Sequence, residues 1–516
     1  MLFNSYEFIF GFLPICLVGF FLLASLGWKK AASIWLSVTS LIFYCWWNPD
    51  PSQPWNPKYL LLILTSVVAN YFLGVTISRA KEQENHRRAK TILIIGVTAN
   101  LATLAYFKYA GFLTANLNTV FGTHFSLGKI ALPLAISFFT FTQIAYLADS
   151  YNGLTKAYNF RWYLLFVTFF PHLIAGPIVL YRKLMPQFAQ PETWRFNIDN
   201  LVAGLTLFGF GLCKKVVIAD SVSPIADGVF QNIARGDIPG LIPAWLGALA
   251  YTCQLYFDFS GYSDMAIGLG RMFNVQFPVN FNSPYKAADI SDFWRRWHMT
   301  LSQFLRDHLY IPLGGNRAGE TRRYCNLMVT MLLGGLWHGA GWTFVIWGGL
   351  HGLYLVIHQL WVKTTKDIKW ATSAPAIGVG HLLTFFAVVV GWVFFRSPNF
   401  ADAAKMLKGM TGLSGFDLPL QLRGLLAGHF AVPGTWFAPL PCKAFDLVAL
   451  GAALVIAFVA PNTNEIFRLG QPARENVPIP QPLWKPTVRW ALVSGIVIGV
   501  AILHLSRITE FLYFQF

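Results

Sequence analysis

Along this chain, long apolar runs are separated by short polar interruptions, and within each run apolar residues follow one another without alternation. A run of about 20 such residues crosses a bilayer as a helix, whereas a membrane strand would alternate polar with apolar. Candidate spans lie near 8–27, 31–47, 59–78, 91–107, 130–148, 162–180, 200–219, 241–257, 326–348, 349–362, 379–395, 445–460 and 489–506. With 162–180 and 349–362 read as re-entrant, about 10 to 12 of these cross. The predicted fold is an all-α polytopic membrane protein, a single membrane-embedded domain over 1–516, with interfacial amphipathic helices besides the spans.

The pattern changes over 251–325, which is too polar to span yet rich in aromatic residues, with Arg295, Arg296, Arg306, Arg317, Arg322 and Arg323 in its second half. From Asp292 to Tyr310 the apolar positions Phe293, Trp297, Leu301, Phe304, Leu305 and Leu309 recur at steps of three and four. That spacing predicts one amphipathic helix on the cytoplasmic face. The segment 326–362 then carries a histidine between glycines, and 379–516 supplies the last spans.

Composition sharpens this picture. The 516 residues are 55% apolar and only 12% charged, against about 25% charged in a soluble domain. A soluble multidomain enzyme, a disordered chain and a single-span anchor are excluded. The net charge of +16 fits cytoplasmic loops facing anionic headgroups better than nucleic acid. The six cysteines show no paired spacing, so neither a disulfide framework nor a zinc site is expected. Residues 1–7 carry no Lys or Arg, so the first run lacks the basic flank of a signal peptide and reads as a retained span. Basic residues follow the first run (Lys29, Lys30) and the third (Arg79, Lys81, Arg87, Arg88, Lys90), and the loop at 48–57 has none. By the positive-inside rule the N-terminus faces outward, and Arg468, Arg474, Lys485 and Arg489 before the last run put the C-terminus outside as well.

Most of the eleven histidines have no suggestive company. His338 stands about 13 residues into its run, roughly 20 Å along a helix, deep in the hydrocarbon. An ionisable residue there marks a functional site or bonds a neighbouring helix carbonyl. Gly334, Gly335, Gly339 and Gly341 flank it, and the Gly335–Gly339 spacing allows close approach of a second backbone or a thin substrate. A desolvated imidazole is neutral, and a neutral ring can take a proton from a hydroxyl. His298, by residue type alone, reads first as an interfacial residue. Asp258 and Asp264 read first as scaffolding, paired with Arg271 or Arg295. No HExxH, GxSxG, P-loop or GxGxxG is present, so metalloprotease, serine hydrolase and ATP-driven pump lose support, and no metal site is expected.

YFDFSGYSDMAIGLG (256–270), DFWRRWHMTLSQFLRDHLYIPLGGNR (292–317), TMLLGGLWHGAGWTFVIWGGLHG (330–352), FPHLIAGPI (170–178) and LYFQF (512–516) together resemble the membrane-bound O-acyltransferase family, in its bacterial polysaccharide-acetylating branch. The resemblance runs along essentially the whole chain. It implies acyl transfer from a cytoplasmic thioester, acetyl-coenzyme A or another, to a hydroxyl across the inner membrane, with no bound cofactor. It also implies O-acetylation of a secreted polysaccharide of the alginate or cellulose type through a periplasmic partner that receives the acetyl group. It makes His338 the catalytic residue and gives His298 a supporting role. Arg295, Arg296, Trp297 and Arg306 become candidates for donor binding, and Asp258, Asp264, Gly335, Gly339 and Trp337 support the site. D-alanyl transfer to teichoic acid and a non-enzymatic transporter are the alternatives. The lack of internal repeats and of ionisable residues spread along the spans speaks against the transporter.

Overall fold

A computed structural model describes residues 1–46, 58–128, 130–155, 159–317, 319–420, 437–438, 442–469, 483–505 and 511–512. Apart from a two-residue parallel pairing of Leu418–Pro419 with Phe437–Ala438, the regular elements among these residues are helical. Among the described residues six helices are long and apolar enough to cross a membrane: Glu7–Ser25, Tyr59–Glu82, His86–Phe121, Ile198–Ala234, Trp342–Thr365 and Ala374–Arg396. Ala444–Phe458 and Val488–His504 are apolar but shorter.

The chain divides into two compact units interleaved in sequence. The first comprises Met1–Leu212, Tyr262–Val279 and Phe467–Phe514. Its helices Lys58–Glu82, His86–Phe121 and Ile136–Tyr151 pack on one another. Polar residues pin this packing where no water competes: Asn70 and Asn100 exchange side-chain hydrogen bonds at 3.2 and 2.7 Å. Gln143 donates to Ser66 (2.9 Å) and accepts from the Tyr163 hydroxyl (3.2 Å). Asn85 caps the 36-residue helix by accepting from Arg88 N–H, and Gly122, at φ +63°, ends it in the left-handed conformation that glycine adopts without strain. The interval between the candidate spans 91–107 and 130–148 is therefore helical as far as Phe121. The run at 162–180 breaks into Phe160–Thr168 and Phe170–Leu173, because Pro171 cannot continue the first helix.

The second unit comprises Cys213–Gly261, Asn280–Ile466 and Gln515–Phe516. Three sequence expectations change here. Residues 251–272 are not part of a polar surface segment, because they belong to a 32-residue helix, Leu241–Met272, buried throughout 251–270. The two spans drawn as 326–348 and 349–362 are instead Glu320–His338 and Trp342–Thr365, with their turn at Gly339–Gly341, and the second is long and apolar enough to cross a membrane. The single amphipathic helix expected over 292–310 is two short helices, Ile290–Arg296 and Met299–Leu305, followed by a π-helical turn at Arg306–Tyr310. The loops at 48–57 and over most of 421–441 fall outside the described residues.

Glu320–His338 and Trp342–Thr365 form the hairpin that positions the site. Glycines let its arms touch backbone to backbone: a Cβ on Gly335 would meet the Phe344 carbonyl oxygen and lie 3.0 Å from Gly348 Cα. A Cβ on Gly348 would meet the Met331 carbonyl oxygen. Small residues drive such contacts in lipid, where dispersion replaces the hydrophobic effect. At the open end of the hairpin Lys363 pairs with Glu320 at 2.6 Å.

Candidate active site

His338 is the last residue of the first arm, about 27 Å along it, and it is buried. Its ring is walled by aromatic neighbours at near-perpendicular angles: Trp337 at 4.9 Å, Trp347 at 5.1 Å and Phe395 at 5.2 Å between centroids. Gly339 ends the arm where a Cβ would run into the Phe344 ring, so both small residues singled out in the sequence, Gly335 and Gly339, sit at close contacts. Trp337 is shared, since its ring also lies 6.3 Å from that of His298. The two histidines, 40 positions apart, thus flank one indole.

His298 occupies the break between the two short helices, at φ +42° and ψ +53°. A non-glycine residue in that region is uncommon, and such strain gathers at functional sites. The side chain is fully buried, and its Nδ1 lies 3.1 Å from Asn280 Oδ1. The same oxygen accepts from the Thr300 backbone N–H (3.3 Å) and hydroxyl (2.9 Å), which fixes it as the acceptor. Nδ1 therefore carries the proton and Nε2 the lone pair. Burial pushes the imidazole pKa down to about 3, so the ring is neutral at physiological pH. The interfacial reading of His298 gives way to a buried, oriented imidazole.

The donor-binding candidates divide. Arg295 and Arg306 are exposed, paired with Asp292 (3.5 Å) and Asp307 (2.7 Å). Arg296 is half-buried and ties Asp292 (2.8 Å) to the Asn282 carbonyl (3.3 Å). Trp297 is buried among Phe293, Phe281 and Trp392 and offers no open face to a donor, because it fills the core under the helix break.

Asp258 pairs with a lysine in place of the expected Arg271 or Arg295. Lys215 Nζ reaches it at 2.8 Å and Asp220 at 2.9 Å, all three buried or nearly so. Asp264 is buried in the first unit. There Arg271 donates to Asn200 at 3.4 Å, while Arg295 is taken by Asp292. Sequence reasoning passed over Lys215, although a lysine pair inside the apolar run 200–219 is a signal of buried charge. It also passed over Asn280 and His351, the latter in the WGGLHG segment (347–352) and fully buried.

These features define a polytopic helical membrane enzyme with two buried histidines about one tryptophan. The sequence profile of the membrane-bound O-acyltransferase family matches residues 95–394, and the chain belongs to that family. It is an O-acyltransferase. A peptidoglycan O-acetyltransferase of Helicobacter pylori is 45% identical over 81% of both chains. A relative in Pseudomonas putida, named a probable alginate O-acetylase (AlgI), is 40% identical over the whole length of both. A teichoic acid D-alanyltransferase of Streptococcus thermophilus is 27% identical over 51% of this chain and 68% of its own.

Proposed function

We propose that this protein takes an acetyl group from a cytoplasmic thioester, acetyl-coenzyme A or another carrier, and passes it across the bacterial inner membrane for O-acetylation of a polysaccharide outside. The observation that carries the reading is the pair of buried histidines about Trp337, with His338 at the end of a glycine-seamed hairpin. His338 accepts the proton of the attacking hydroxyl as its oxygen bonds the thioester carbon. The C–S bond then breaks, and the proton passes to the leaving thiolate. His298 supports the site, its ring set by Asn280. A thioester is already activated, so neither metal nor nucleotide hydrolysis is needed.

Alginate and peptidoglycan are the acceptors named by the relatives, and peptidoglycan extends the alginate or cellulose expectation. D-alanyl transfer has the weaker support, from a relative matched over about half the chain. Both termini face the periplasm in this reading, and the exposed Arg295 and Arg306 meet the anionic donor. Reversing the charge of Arg295 is expected to raise KM for the donor severalfold and leave kcat unchanged, with added salt giving a milder form of the same defect. An unchanged KM in both assays would leave Arg295 only its pairing with Asp292.

The acetyl group reaches the polymer through a periplasmic acceptor protein, because a long polymer cannot thread to a buried His338. Purified protein in vesicles with labelled acetyl donor and polymer alone should give no acetylated polymer, and adding a periplasmic extract should restore it. Efficient acetylation by the purified protein alone would remove the relay.

A further inference from the structure

Beside His338 lies a set of polar atoms that the fold leaves unsatisfied. His351 is fully buried, and neither of its ring nitrogens makes a hydrogen bond among the described residues. The indole N–H groups of Trp294 and Trp347 are buried and unpaired as well. The three rings form one cluster: His351 lies 4.9 Å from Trp347 and 5.3 Å from Trp294, and the two indoles lie 5.9 Å apart. Trp347 in turn packs edge-on against His338 at 5.1 Å. A Cβ on Gly391 would come within 2.9 Å of His351 Nε2, so the absent side chain is what admits the ring.

Leaving a buried donor or acceptor unpaired costs about 1–3 kcal/mol, and such groups persist where function needs them. A structural role would be served at least as well by phenylalanine or leucine. What gathers here is instead a surplus of hydrogen-bond donors, two indole N–H groups and the N–H that a neutral imidazole always carries, next to the base of an acyl transfer. The chemistry lacking a partner in that reaction is the carbonyl oxygen. It gains negative charge when the hydroxyl adds to the thioester carbon and loses it when the C–S pair departs with sulfur.

Resting on the acyl-transfer reading above, we infer that His351, Trp347 and Trp294 form the acyl subsite beside His338. They receive the thioester carbonyl oxygen and donate to it as it becomes an oxyanion. The ligand class is a short acyl thioester. The leaving thiolate takes the proton that His338 removed from the hydroxyl, so no further reactant enters.

The test compares the native protein with His351→Phe and Trp347→Phe in proteoliposomes supplied with acetyl-coenzyme A and periplasmic extract, with turnover counted per folded protein. Loss of one oxyanion donor should lower kcat by about 10²-fold with KM for the donor within a factor of two. The melting temperature of His351→Phe should be equal or higher, because an unsatisfied buried group has been removed. Native turnover in either variant would overturn the subsite. So would a reduced kcat with a lowered melting temperature in both, which marks packing residues. A native protein that transfers no acetyl group would instead refute the acetyl-transfer reading itself.

Discussion

Replacing His338 by glutamine is expected to lower acyl transfer by about 10²–10⁴-fold while the protein stays in the membrane at normal abundance. Glutamine keeps polar bulk among Trp337, Trp347 and Phe395 but cannot take a proton from a hydroxyl. Alanine should abolish transfer to the same extent and also lower the melting temperature, since it opens a gap between three rings. The check is labelled acetyl transferred per unit of protein detected in membranes. Turnover of His338→Gln at the native level would make His338 a packing residue and return the base to another group.

The second large effect concerns stability. Lys215 sits between Asp220 and Asp258 at 2.9 and 2.8 Å, with the lysine and Asp258 side chains 2% exposed. Removing one partner of a buried ion pair costs about 3–5 kcal/mol, because the other charge stays behind without compensation. Lys215→Met should therefore lower the melting temperature sharply and reduce the folded yield. Adding Asp258→Asn should recover much of the loss, since the more deeply buried of the two stranded carboxylates is then neutral. A single variant as stable as the native protein would show that the triad contributes nothing to the fold, and a double variant no better than the single would put the damage in packing.

Much of the architecture was legible because apolar runs in lipid have one dominant solution, a helix that satisfies its own backbone. Runs failed as predictors where the chain breaks for local reasons. The three- and four-residue spacing continues through Phe293, Trp297 and Leu301 although the first helix ends at Arg296, because side chains on either side of the break are buried. A positive φ leaves no trace in a hydrophobic pattern. The span drawn through 326–348 ignored the turn at Gly339–Gly341 for the same reason, since glycine, alanine and tryptophan are as apolar in a turn as in a helix. For the site, His338 and His298 were visible as residue types in long motifs. The Asn280 bond that fixes the His298 tautomer, and the Lys215 partner of Asp258, are contacts between residues 18 and 43 positions apart, which no single-sequence pattern specifies. Trp297, a donor-binding candidate through the resemblance, turns its ring inward, as its place on the apolar stripe already indicated.

The glycine seam of the hairpin also has a mechanical side. With Gly335 and Gly348 in backbone contact, the arms cannot come closer, and prising them apart would forfeit dispersion along the seam in a medium that returns nothing for it. The tip bearing His338 is thus a rigid strut, and its surroundings are set by the rings packed on it. On one side of the imidazole that ring is Phe395, near the end of the Ala374–Arg396 helix. Phe395 is buried against Phe344 and Trp347 of the hairpin itself, at 5.1 Å between centroids in each case, so a ring from a separate helix closes the strut around the imidazole.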